Sequence, residues 1–244
     1  MPRAYDTYLS QSDKAVLEVY GRENAAGFGT RPALLVVDAT YAFVGEAREA
    51  PWEAAKKRRN ACGEPAWRAL DALIGVIESA RANKVPVIYT KGADRPDLLT
   101  LGAKSLKKSP RSSVTTSNLR NGNEIVDQIR PGPGDIVIAK EKPSAFFATP
   151  LLSYLVALGV DSLFITGGAT SGCVRASVVD AFSNNFPCWL LQDCCFDRFE
   201  ASHDMTIFDI GAKYAEIRSA ADAIRNIEAV SARIVLHDRP ILQD

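Results

Sequence analysis

Three residues far apart in the chain have side chains that together suit acyl transfer: Asp38, Lys140 and Cys173. A thiol attacks a carbonyl only as its thiolate, and an unperturbed cysteine is mostly protonated at neutral pH. Cys173 follows the loop 167-GGATSG-172 and stands where a helix is expected to begin, a place where unpaired backbone N–H groups favour an anion. A nearby lysine cation lowers a thiol pKa further, and a carboxylate can take the proton and later deliver it to a leaving amine. The loop of small residues also lets backbone N–H groups approach an oxyanion. Only two histidines occur, His203 and His237, so a scheme without a histidine base suits the chain. Each residue also has a plainer reading. A lone buried cysteine packs as a small hydrophobe, Asp38 equally fits a helix cap or a partner for arginine, and one of Lys140 and Lys142 fits an ordinary surface lysine.

The elements that would carry these residues alternate in type. Apolar runs 33-ALLVVDA-39, 85-VPVIYTK-91, 135-DIVIAK-140, 162-SLFIT-166 and 187-PCWLLQD-193 read as strands. Between and after them, 65–84, 149–159, 173–184, 202–215 and 220–230 read as helices, the first with apolar residues at spacings of three and four. Such alternation predicts an α/β fold, a three-layer α/β/α sandwich around a mostly parallel, Rossmann-like sheet. Ligands then bind outside the carboxyl ends of the strands, where Asp38, Lys140 and the loop before Cys173 all fall. Residues 1–30 read as an N-terminal arm and 31–244 as a single domain. Polar insertions at 44–63 and 93–123 leave strand ends as lids, partner surfaces or solvated loops.

The segments around the three residues settle their reading. The stretches 32-PALLVVDATYAF-43, 136-IVIAKEKPSAFFATPL-151, 163-LFITGGATSGCVRASVVDAF-182 and 192-QDCCFD-197 resemble the isochorismatase-like cysteine hydrolases, in particular the N-carbamoylsarcosine amidase-like branch. Matched by motif, the resemblance implies an Asp38–Lys140–Cys173 triad; Lys140 is favoured over Lys142 because it stands four residues before Ser144. It also implies a cis peptide at Gly168–Ala169 and an oxyanion hole from the Ala169 or Thr170 N–H with that of Cys173. Arg198 falls where this branch holds a substrate carboxylate, a task that suits a forked guanidinium; a surface arginine paired with Asp197 or Glu200 is the plainer alternative. Phe43 is a candidate wall of the substrate pocket, although core placement suits it too, as it does Trp52 and Trp67. The metal-holding histidines of the family's nicotinamidases have no counterpart, since no histidine precedes residue 203. No metal and no cofactor are expected. His203 reads as a cap or packing residue at a helix start, with lining of the pocket as the alternative, and Cys188, Cys194 and Cys195 as packing or incidental.

Composition narrows the partners. Lys plus Arg and Asp plus Glu are 29 each, so no net field draws the chain to nucleic acid or membrane. No signal peptide or membrane-spanning run is evident, five cysteines show no CxxC pair, and the expected address is cytoplasmic. The expected partners are a small-molecule substrate and further copies of the chain, as a dimer or tetramer. The expected activity is C–N cleavage of a small amide or N-carbamoyl compound bearing a carboxylate, through a thioester. Hydrolysis of neutral amides or ureas, or a non-catalytic scaffold, are the alternatives.

Overall fold

The computed structural model describes residues 4–20, 28–93 and 119–237. Most of the 93–123 insertion therefore lies outside the described residues. Six strands form one sheet: β1 (Pro32–Val37), β2 (Val87–Gly92), β3 (Ile136–Lys140), β4 (Ser162–Gly168), β5 (Cys188–Phe196) and β6 (Glu216–Arg218). All neighbouring pairs are parallel, in the order β3-β2-β1-β4-β5-β6. Among the described residues the α-helices are α1 (Gln11–Tyr20), α2 (Tyr41–Val44), α3 (Pro51–Lys57), α4 (Glu64–Ala82), α5 (Leu151–Ala157), α6 (Arg175–Ser183), α7 (Glu200–Lys213) and α8 (Ala220–His237).

Side chains alternate across a strand, so the sheet feeds two cores. Leu34 and Val36 of β1 join α4 and α8 on one face, with Tyr89 and Phe164. Ala33, Leu35 and Val37 join α5, α6 and α7 on the other, with Ile88 and Ile165. Every residue of β1 is buried, as a central parallel strand covered on both faces must be. Tyr5 and Leu9 of the N-terminal arm belong to the second core, and Tyr5 packs on Phe208 of α7 with ring centroids 5.2 Å apart. Among the described residues, no helix is long and apolar enough to cross a membrane.

The structure corrects several boundaries. β5 runs to Phe196, so Cys194 and Cys195 lie within the strand and are buried rather than following its end. A bulge accounts for the extension: Ile165 pairs with Leu190, yet Gly167 pairs with Cys195. Asp193, in the bulge, accepts the Ala220 N–H at the start of α8. Residues Glu216–Arg218, outside the strands read from sequence, form the edge strand β6. Segment 44–63 is no solvated loop. It contains α3, buries Ala54, Ala61 and Cys62, and is pinned by Arg58 to Glu46 and to the Arg120 carbonyl.

Candidate active site

The strand order reverses direction between β1 and β4, and the chains leaving their carboxyl ends diverge there, which opens the crevice where such sheets bind ligands. Asp38 is the first residue past β1 and Cys173 lies five residues past β4; Val37 and Gly167 are register partners. Gly167 is required at this crossing. It has φ 101°, and a Cβ there would lie 2.0 Å from the Val37 carbonyl oxygen.

Asp38 is 3% exposed. Its Oδ2 accepts a hydrogen bond from Lys140 Nζ at 2.7 Å, and both side chains are 4% exposed. Lys140 ends β3, two strands away from β1, and reaches across β2 to make this pair. It also donates to the Lys142 carbonyl at 3.1 Å, so Lys142 contributes its backbone to the site. Thr90, the β2 residue between them, donates its hydroxyl to Asp38 Oδ1 at 2.8 Å and accepts the Asp38 N–H at 3.2 Å. Removing two charges from water is costly unless the remaining lone pairs and protons are bonded, and Thr90 and the Lys142 carbonyl meet that need.

Cys173 is half-buried, whereas Cys62, Cys188, Cys194 and Cys195 are all buried. Burial pushes the thiols of Cys62 and Cys188 up to about 12, and those of Cys194 and Cys195 higher still. Cys173 does not itself open α6, as its position after the loop implied. It lies in a wide π-type turn, Thr170–Val174, that leads into α6 at Arg175. The peptide between Gly168 and Ala169 is cis, as the family resemblance implied. Ala169 and Thr170, the expected oxyanion donors, are buried at the entry to this turn.

Three further residues clasp the turn. Ser177, one helical turn after Cys173, donates to the Cys173 carbonyl at 2.7 Å and accepts the Ala145 N–H at 2.9 Å, which ties the loop after Lys140 to the nucleophile turn. Asp197 accepts the Ser171 N–H and hydroxyl at 2.9 and 2.7 Å. His203 shares a 2.8 Å hydrogen bond between its Nδ1 and the Thr170 hydroxyl. Burial lowers the His203 pKa, which favours the neutral ring, so the residue braces the turn rather than capping a helix. None of Thr90, Ser177 and Asp197 was singled out from sequence for a role at the site. The available signals were Thr90 at the carboxyl end of a strand beside β1, Ser177 four residues after Cys173, and Asp197 next to Arg198.

Arg198 is half-buried, two residues beyond β5. Its Nε is inaccessible and has no hydrogen-bond partner among the described residues. The alternative pairing with Asp197 or Glu200 is not formed: Asp197 accepts the Arg198 backbone N–H instead, at 2.7 Å. The 44–63 segment lies close by, since both Arg198 and Asp197 act electrostatically on the buried Cys62 thiol. Phe43 is partly buried and packs against the α4-side core; Trp67 joins that core, and Trp52 is 68% exposed. Among the described residues, no group of three or more His, Cys, Asp or Glu is spaced to hold a metal ion.

The chain is similar to several known proteins in sequence and fold. A family model described as the isochorismatase domain matches residues 32–222. Maleamate amidohydrolase from Pseudomonas putida is 31% identical over 206 residues, 82% of this chain and 89% of that protein. N-carbamoylsarcosine amidase from an Arthrobacter species is 26% identical over 234 residues, 91% of this chain and 82% of that protein. A solved cysteine hydrolase from Pseudomonas syringae pv. phaseolicola 1448A shares the fold, with a TM-score of 0.70 at 20% identity over 82% of this chain and 94% of that one. On its motifs, its sheet order and these matches, the chain belongs to the isochorismatase family.

Proposed function

We propose that the protein is a cysteine-dependent amidohydrolase that cleaves the C–N bond of a small carboxylate-bearing amide or N-carbamoyl compound. The observation that carries this reading is the buried Lys140–Asp38 pair, bonded also by Thr90, at the strand switch next to the turn that holds Cys173. Asp38 takes the Cys173 thiol proton as sulfur attacks the carbonyl carbon. The carbonyl π pair moves to oxygen, where the N–H groups of Ala169 or Thr170 and of Cys173 receive it. As the oxyanion collapses, the C–N bond breaks and Asp38 gives its proton to the departing nitrogen, leaving a thioester. Asp38 then takes a proton from water, whose oxygen attacks the thioester; the released sulfur recovers the proton. Lys140 stays charged throughout and holds Asp38 in place.

Arg198 anchors the substrate carboxylate. Its Nε lacks a partner among the described residues, and a guanidinium's forked donors suit a carboxylate. Maleamate and N-carbamoylsarcosine, named as substrates of two relatives, both carry a carboxylate beside the C–N bond. Phe43 stands in the segment after Asp38 as a pocket wall.

The test is ammonia release from a panel of amides, N-carbamoyl amino acids and ureas. Turnover is expected for acidic members, and Cys173→Ala should lower kcat by about 1,000-fold or more. Normal turnover in that variant would end the mechanism. Arg198→Ala should raise KM for the acid without a matching effect on its neutral analogue, and an unchanged KM would remove the anchor.

A further inference from the structure

The segment that leaves β5 supplies one substrate contact, Arg198, yet it also grips the nucleophile turn. Asp197 is 4% exposed. Its Oδ2 accepts the Ser171 N–H at 2.9 Å and the Ser171 hydroxyl at 2.7 Å; its Oδ1 accepts the Arg198 N–H at 2.7 Å and, more loosely, the Phe199 N–H at 3.5 Å. One side chain thus holds both the turn two residues before Cys173 and the residue that carries the guanidinium. All four of these donors are neutral, and among the described residues no lysine or arginine side chain forms an ion pair with Asp197. A buried carboxylate with no countercharge is kept only where its hydrogen bonds are made. Here they join the two parts of the site that must touch opposite ends of one substrate.

We propose that Asp197 is a positioning residue: it fixes the span between the Cys173 turn and Arg198, and so selects substrates by the separation of their reacting carbonyl and their carboxylate. This rests on the reading of Arg198 as the carboxylate anchor. The enzyme is then an amidohydrolase for acid amides of one chain length, set by a bond network rather than by pocket volume alone. A purely electrostatic role has the opposite sign, because the Asp197 charge repels an anionic substrate and its neutralisation would help every acid.

The experiment measures ammonia release by the full-length protein on malonamate, succinamate, maleamate and glutaramate, each beside its neutral diamide. The wild type is expected to favour one length by about tenfold over its neighbours. Asp197→Asn places an amide N–H against one pair of donors, and should lower kcat/KM for the preferred acid about tenfold and flatten the length preference. Ser171→Ala keeps the charge, lies on an exposed residue, and should flatten the preference about threefold. An unchanged length preference in both variants, or a rise for every acid in Asp197→Asn, overturns the proposal. Arg198→Ala separates the two readings. If it abolishes the preference for acids while Asp197→Asn keeps the length profile, only the role of Asp197 falls. If it leaves the preference for acids intact, or if the wild type turns over no acid amide, the anchor reading falls and this proposal falls with it.

Discussion

The Thr90 hydroxyl makes two hydrogen bonds with Asp38, one as donor to the carboxylate and one as acceptor from the backbone N–H, which the Thr90 carbonyl also accepts at 3.2 Å. Thr90→Val removes both without changing shape, and leaves a buried carboxylate oxygen short of a donor. The variant should lose about 1.5–3 kcal/mol in urea denaturation and most of its turnover, while Thr90→Ser should restore both. Asp38, Lys140 and Cys173 stood out in the sequence as candidates because each sits in a short motif after an apolar run, and the structure joins the first two as an ion pair. Thr90 did not, since a threonine in a strand is ordinary β-forming sequence. Only its position beside Asp38 in the folded sheet gives it a task. The contacts of Ser177 and Asp197 at the turn were not legible for the same reason: their partners, Ala145 and Ser171, are 32 and 26 residues away.

Among the strands read from sequence, β5 departs furthest from its reading. A strand ending at 193 would leave Cys194 and Cys195 in a loop; the bulge instead restarts the pairing, so that Phe196 lies beside Gly168. A Cβ on Gly168 would lie 2.2 Å from the Phe196 ring, so the close approach depends on glycine there. Gly168→Ala should cost about 1–3 kcal/mol by overpacking. Phe196→Leu opens space at the same spot, and the double variant should be more stable than the sum of the two losses allows, a coupling read from a denaturation cycle. Apolar periodicity located β1 to β5 and α4 to α7 within a few residues, but it missed β6 and stopped α8 at residue 230, short of His237. It missed α2 and α3 because those short helices bury only three residues between them, Tyr41, Val44 and Ala54, too few to mark a stripe.

For the whole molecule, strand–helix alternation was enough to expect a parallel sheet, but the order β3-β2-β1-β4-β5-β6 is not written in any local pattern. It follows from which crossovers bury most apolar surface on both faces, and that order makes the crevice at β1 and β4. The boundary drawn at residue 30 also conceals a connection. Tyr5 is 7% exposed against α7, the helix that follows Arg198. Tyr5→Ala should lower stability by about 2–3 kcal/mol. Val19, 90% exposed on the same arm, should tolerate serine within about 0.5 kcal/mol. Thermal melts of the two variants would separate an arm that completes the core from one that merely precedes it.

Asp38 has φ 46°, in the left-handed region that most side chains avoid. The residue that would exchange the proton is thus also the one whose backbone few other amino acids can adopt. Drift at this position is confined: a branched or bulky replacement perturbs the end of β1 as well as the reaction, whereas asparagine and glycine keep the conformation. Asparagine alone also keeps the side-chain volume while losing the carboxylate. A chain of this kind that abandons hydrolysis but retains its fold would carry Asn here, which gives a signature for telling silent relatives from active ones.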